Sequence, residues 1–388
     1  MRIACIHQGY ELYGSDRSFA ESVAALRATY PLADIEVVLP RSGPIVQLLE
    51  RAATRIVFEP LWILRRKSIL RLATIELARL PVAVARAAWR LSTFDLIYIN
   101  TSIITDYALA ARFFSEKTLL HIHEIPEGFT LKILRGLIHW SRAELIFNSK
   151  ATRATFGDPQ DRRTHVIYNG VAGPASPEPV TYDAQRPLRV LLLGRINRIK
   201  GQEVLLEAIA RIPPDLRSRL AVRMVGGAFE SKERERELRH RVEAMALADH
   251  VSILPFTDDP SDHYRWADIV AMPSRRPESL GRVAIEAMAY GRPPLASAIG
   301  GLMEVVENNR TGWLIPPGDV AALADALQII LLKPEAWQDF AAAGRARYEA
   351  LFSEQAAATA IAAVVSAKQK RRIGTARIAT RQQREDKT

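Results

Sequence analysis

Cysteine is nearly absent from this chain of 388 residues: Cys5 stands alone. No disulfide can form within it, and a reducing compartment is the easier setting. Long apolar runs are missing as well, since none reaches the roughly 18 residues that a membrane-spanning helix needs. The opening MRIACIHQ has neither a basic leader nor an apolar core long enough for a secretory signal. The expectation is a cytoplasmic protein, free or resting on the inner face of the cell membrane.

The length exceeds what one hydrophobic core of usual size serves, so two domains are expected. Hydrophobic residues make up 48% and charged residues 25%, the balance of an ordinary globular chain. The net charge of +10 is unevenly spread. Residues 61–90 hold seven basic side chains against Glu76, and residues 366–388 hold eight against Glu385 and Asp386. Each stretch carries +6, which leaves −2 for everything else. A polyanion-binding protein would spread its basic residues over the folded domains, so nucleic acid is not an expected partner. In 61–90, Trp62, Ile63, Ile69, Leu70, Leu72 and Ile75 alternate with Arg65, Arg66, Lys67 and Arg71. A basic amphipathic helix of this kind suits an anionic membrane surface; a helix pair packed on a sheet is the competing reading.

The informative stretch is PSRRPESLGRVAIE, Pro273 to Glu286. Glu278 and Glu286 flank Gly281, and Val283, Ala284, Ala287 and Met288 recur at helical spacing, which predicts a helix from Arg282 to Tyr290. A helix that starts behind a glycine offers free amides and the positive end of its dipole, a place for phosphate. Upstream, LRVLLLGRINRIKGQEVLLEAIA reads as strand, loop and helix, with Arg195 and Lys200 at the two ends of the loop. Arginine grips phosphate oxygens with a planar fork and lysine supplies a point charge.

In the N-terminal half, MRIACIH reads as a buried strand, followed by a turn-rich segment with Gly14 and Ser15, Asp16 as an N-cap, and a helix. IEVVLP, ATRIVFEP, FDLIYIN, KTLLHIHE, AELIFNS and HVIYNGV supply further strands. KTLLHIHE places His121 and His123 on one face, and no convincing third metal ligand accompanies them. GPASPEPVTYDAQRP, with prolines at 174, 177, 179 and 187, reads as an interdomain linker. ESKERERELRHRVEAMA alternates in charge as a solvated helix does, and the end of the chain, QKRRIGTARIATRQQREDKT, lacks an apolar period and is expected to be flexible.

The segment from Glu278 to Glu286, the AMAYGRPPLAS after it and the run from Gly300-Gly301 through TGWLIPPGD resemble retaining glycosyltransferases of family 4. That resemblance implies an α/β chain of the GT-B fold, two Rossmann-like domains facing each other across a cleft. The boundaries expected are an acceptor-binding domain over 1–172, the linker over 173–187 and a nucleotide-sugar domain over 188–350. A helix over 351–368 would return toward the N-terminal domain, ahead of a flexible basic tail over 369–388. The implied activity is transfer of a hexosyl group from a nucleotide-diphosphate sugar to a saccharide or lipid-linked saccharide, in bacterial surface polysaccharide or lipopolysaccharide synthesis. The resemblance gives Arg195 and Lys200 the donor diphosphate, Glu278 the hydroxyls of the donor sugar, Glu286 the ribose and His123 a place near the transferred sugar. Leu280, Gly281, Arg282 and Val283 would line the donor at the helix start. Gly14 and Ser15 take the place of a family loop that usually has two adjacent glycines. No cofactor is implied, and without an Asp-x-Asp motif no metal is expected. Two alternatives stay open: a GT-B sugar-nucleotide epimerase, and a non-catalytic nucleotide-sugar-binding protein at the membrane.

Overall fold

The structure, a computed structural model, describes residues 1–11, 14–64, 77–180, 182–228 and 232–385. It divides into two compact units, Met1–Gly170 with Glu354–Thr388, and Val171–Ser353.

The first unit is built on a 7-stranded sheet. Its strands are β1 (Arg2–His7), β2 (Asp34–Leu39), β3 (Arg55–Phe58), β4 (Leu96–Asn100), β5 (Thr118–Ile122), β6 (Glu144–Phe147) and β7 (Thr164–Val166). They lie in the order β3-β2-β1-β4-β5-β6-β7, and each pairing is parallel. Strands buried on both faces read as unbroken apolar runs, which is why IACI and LIYI carry no alternation. One face packs Ile6, Ile97 and Leu120 against Leu91, Tyr107 and Leu134 of helices Leu77–Ser92, Thr105–Ala110 and Gly128–Ser141. On the other face Ile3, Cys5 and Tyr98 meet Phe19 and Leu26 of helix Gly14–Thr29 and Ile361 and Val365 of helix Glu354–Glu385.

The second unit has a 6-stranded sheet: β8 (Leu188–Leu193), β9 (Leu220–Val225), β10 (Val251–Leu254), β11 (Ile269–Met272), β12 (Pro294–Ser297) and β13 (Trp313–Ile315). The order is β10-β9-β8-β11-β12-β13, again parallel throughout. These are two Rossmann-like α/β units. In each, strand order reverses once, between β1 and β4 in the first and between β8 and β11 in the second. Ligands of open α/β sheets bind outside the carboxyl ends of the strands at such a reversal.

The structure departs from the sequence reading at three places. The proline-rich segment over 173–187 is part of the second unit. Proline removes ladder donors but leaves carbonyl acceptors, and arginines fill them: Arg345 donates to Pro174 O at 2.8 Å and Arg292 to Glu178 O at 3.0 Å. Tyr182 is buried and stacks on Trp337, and Arg186 forms a forked ion pair with Asp268 at 2.6 and 2.7 Å. The second correction concerns the tail, where the helix that begins at Glu354 runs on to Glu385. A stretch anchored by ion pairs needs no apolar period: Lys368 and Arg371 hold it on the buried Glu144. Third, Gly14 and Ser15 are the first residues of a helix rather than a loop, and Asp16 lies in its first turn instead of capping it. In the basic stretch, residues 65–76 lie outside the described residues; from Leu77 it forms a helix that leaves Val82 and Trp89 exposed.

Candidate functional site

At the reversal point of the second unit, β8 and β11 are neighbours, so the loops after them run side by side. Arg275 N donates to Ile199 O at 2.8 Å and joins the two loops directly. In the first loop, Asn197 Oδ1 accepts from the amides of Ile199 and Lys200 at 2.9 and 3.0 Å and folds the chain into a turn. Gly201 closes it with φ +76°, and a Cβ there would stand 1.9 Å from Pro273 O. Only glycine fits, because both the backbone conformation and the close passage of the second loop exclude a side chain.

That closure sets Lys200 toward Glu278, with Nζ 2.9 Å from Oε2. Ser274 donates to the other carboxylate oxygen. Burial works against the charge on Glu278, but the ammonium of Lys200 and the hydrogen bonds from Ser274 and Lys200 hold its carboxyl below the usual range. Arg195, at the other end of the turn, is exposed, and its backbone oxygen accepts from Gln202.

Helix Arg282–Ala289 starts behind Gly281, whose φ of +92° sets the chain into the helix with no side-chain cap on the first amides. Leu280 is buried beneath this turn, and Arg282 and Val283 are half-buried in its first positions. Glu286 is not solvated: Arg282 Nε donates to Oε1 at 2.8 Å and Tyr264 Oη to Oε2 at 2.6 Å. Tyr264 is wholly buried and stacks on Tyr290; burial, then the Glu286 charge, raises its phenol far above the ordinary value. Lys200, Glu278, Gly281, Arg282 and Glu286 thus belong to two joined loops and the helix that follows.

The first unit gathers its polar residues at the equivalent place. His7 ends β1 and Asn100 ends β4, opposite each other in register, and Asn100 faces His121 of β5. His7 Nε2 lies 2.8 Å from Asp16 Oδ1, and Asn100 Oδ1 lies 2.8 Å from His123 Nε2. The rings of His121 and His123 are 4.0 Å apart, on one face as the alternation predicts. Burial, then the neighbouring His7, lowers His123 to about 3. Thr101, next to Asn100, has φ +129°, an uncommon conformation for a β-branched residue. It is held by its amide bond to His121 O at 2.7 Å and by its hydroxyl bond to Glu124. Gly14 and Ser15 stand two residues ahead of Asp16 and one ahead of it, half-buried. Among the described residues no group of three His, Cys, Asp or Glu is placed to hold a metal ion, and no helix is long and apolar enough to cross a membrane.

Residues 182–347 match the family model described as glycosyl transferases group 1. The chain carries a glycosyl transferases group 1 domain. It takes in nearly all of the second unit, including both joined loops. D-inositol 3-phosphate glycosyltransferase of Geodermatophilus obscurus is 34% identical over 190 residues, 47% of this chain and 41% of that protein. The enzyme of the same name from Saccharomonospora viridis is 40% identical over 148 residues, 37% of this chain and 34% of that protein. The chain therefore matches less than half the length of these relatives. Among solved structures, HepE of Anabaena in complex with UDP superimposes with a TM-score of 0.77 and 25% identity, covering 95% of this chain and all of HepE. The glycosyltransferase of Rickettsia africae has the same score at 18% identity, covering 95% and 98%. These neighbours are GT-B glycosyltransferases, and this chain has their fold.

Around the group 1 domain's motif the sequence reading missed Ser274 and Tyr264. Ser274 had a signal, four positions ahead of Glu278 in PSRRPES; Tyr264 had none, since only the fold brings it to Glu286. His7 and Asn100 were legible in principle, as polar residues that end otherwise apolar strands.

Proposed function

We propose that this chain is a retaining glycosyltransferase that moves a hexosyl group from a nucleotide-diphosphate sugar to a saccharide or lipid-linked saccharide in bacterial surface polysaccharide or lipopolysaccharide assembly. The observation that carries the reading is the pairing of Lys200 with Glu278 at 2.9 Å beside the uncapped helix start at Gly281. A nucleotide diphosphate is already a good leaving group, so transfer depends on stabilising the charge that builds on it by fixed cations and dipoles. An ammonium has three N–H donors, so the bond to Glu278 leaves Lys200 able to reach a phosphate oxygen. Arg195 supplies a second cation and the amides at Arg282 and Val283 the dipole. Glu278 takes hydroxyls of the donor sugar, Glu286 the ribose, and His123 a hydroxyl of the transferred sugar; Gly14 and Ser15 lie near the donor phosphates. The departing phosphate itself takes the acceptor's proton, and neither cofactor nor metal takes part.

The complex of HepE with UDP makes a uridine diphosphate sugar the first donor to try. Binding measured across UDP-, GDP- and ADP-sugars should single out one nucleotide, and transfer should need an added acceptor. Turnover of the donor sugar without any acceptor would instead mark an epimerase. The basic stretch 61–90 rests on an anionic membrane surface in this reading; failure of the full chain to co-sediment with anionic liposomes at low salt removes that part.

A further inference from the structure

The amino ends of the first sheet's strands, the edge opposite the polar residues of the candidate site, carry side chains that the proposed transfer does not use. The strands are parallel, so each connection must come back to this edge before the next strand begins. Helix Leu77–Ser92 therefore ends here ahead of β4, the 3₁₀ helix Ala111–Lys117 ahead of β5, and helix Gly128–Ser141 ahead of β6. Each brings an aromatic ring that the core does not take: Trp89 is 72% exposed, Phe113 70% and Trp140 48%. The three elements are tied together, since Lys117 Nζ donates to Ser92 O at 3.2 Å and Arg112 Nη1 to Trp140 O at 3.4 Å.

Beside these rings lies an open cavity of about 570 Å³. Its wall includes Ser115, two residues after Phe113, and Arg142, two after Trp140. Arg142, Arg162, Arg163, Lys368, Arg371 and Arg372 line it against three carboxylates, so cations are in excess. Glu144 takes Lys368 and Arg371, Asp161 takes Arg162, and Arg372 turns to Asp95. Arg142 and Arg163 are exposed and make no side-chain hydrogen bond or ion pair among the described residues. Two unused guanidiniums on a cationic cavity suit phosphate oxygens, which they grip with a planar fork. Rings that are apolar in body, standing at its rim, suit the boundary between lipid headgroups and chains. A soluble phosphate would use the cavity alone, whereas a phospholipid uses both.

We propose that this edge docks on an anionic bilayer, with the phosphate of a phospholipid headgroup in the cavity against Arg142 and Arg163, and with Phe113 and Trp140 sunk among the headgroups beside it. Trp89, in the last turns of the neighbouring helix, extends the same face. The inference goes beyond the membrane contact read in 61–90, and the residues that decide it lie outside that stretch.

The test is co-sedimentation of the full chain with vesicles of equal parts phosphatidylglycerol and phosphatidylcholine. The wild type should bind them. Arg142→Gln combined with Arg163→Gln should weaken binding about 25-fold, roughly 5-fold for each cation lost from an anionic surface. Phe113→Ser should weaken it about 10-fold, the effect of one ring no longer taken out of water. All three side chains are exposed, so the fold should be untouched. Arg236→Gln combined with Arg241→Gln removes the same charge from the second unit and should bind as the wild type does; an equal loss there overturns the proposal in favour of net charge alone. Full binding by Phe113→Ser, or by the Arg142 and Arg163 variant, overturns it as well. Glycerol 3-phosphate is the soluble control: calorimetric binding that needs Arg142 and Arg163, with no binding to vesicles, would make this a site for a free phosphate ester instead. Vesicle binding that only substitutions in 61–90 reduce overturns this proposal and leaves the reading of that stretch standing, while no binding by the wild type ends both.

Discussion

Lys200 Nζ lies 2.9 Å from Glu278 Oε2, although 78 positions separate the two in the chain. Adjacent strands bring them together, and the passage of one loop over Gly201 fixes the distance. The first prediction follows from what the cations do. Replacing Lys200 or Arg195 by alanine should lower transfer about 100-fold, the scale of one lost preorganised contact to developing charge. Excess EDTA should leave the wild-type rate unchanged. Steady-state kinetics decide both, and full activity in the two alanine variants refutes the assignment.

Tyr264→Phe removes one hydroxyl from Glu286 and keeps the ring stacked on Tyr290. The carboxylate loses a charge-assisted bond and with it a fixed orientation toward the ribose. The KM for the donor should rise about 10-fold with little change in kcat. A fall in kcat alone would place Glu286 elsewhere in the reaction.

Glu144 anchors the last helix, and its charge makes that anchor sensitive to pH. Burial opposes ionisation, yet hydrogen bonds from His165 and Lys368 and the charges of Lys368 and Arg371 hold it at about 2, against an ordinary 4.5. A lowered carboxyl stabilises the fold fully above 4.5, and that contribution disappears as pH falls toward about 2. Glu144→Gln should therefore cost about 3 kcal/mol at neutral pH, the low end for breaking a buried pair. Urea melts of both proteins should converge as the pH is lowered through that window. A constant gap would mean that shape, not charge, holds the helix.

Gly201→Ala should destabilise the chain by about 2 kcal/mol or more, since alanine meets both a left-handed backbone and the Pro273 carbonyl. Thermal unfolding measures the cost. Donor binding should weaken as well, because the same glycine sets the distance from Lys200 to Glu278.

What could be read from the sequence follows the range of the interaction concerned. Strands announced themselves as apolar runs, and the helix at Arg282 by its spacing, because both depend on neighbours a few positions apart. The resemblance supplied Arg195, Lys200, Glu278 and Glu286 as a set, and the fold brings Lys200 to Glu278 and both joined loops to one reversal point. Tyr264 on Glu286 and Asp16 on His7 stayed hidden, since each is a contact made by sheet order. The proline-rich segment misled for a different reason. Proline density shows where ladders cannot form, but says nothing of arginines that wait elsewhere in the chain to bond the remaining carbonyls.

Helix Glu354–Glu385 seals the sheet whose strands were all laid down by residue 166. During synthesis, then, the earlier-made lobe emerges with helix Gly14–Thr29 but not yet the last helix on that face of its sheet, and the whole of Val171–Ser353 must leave the ribosome before Ile361 and Val365 arrive. The lobe made second is the one able to mature first, and a premature stop after Ser353 injures the lobe at the opposite end of the message.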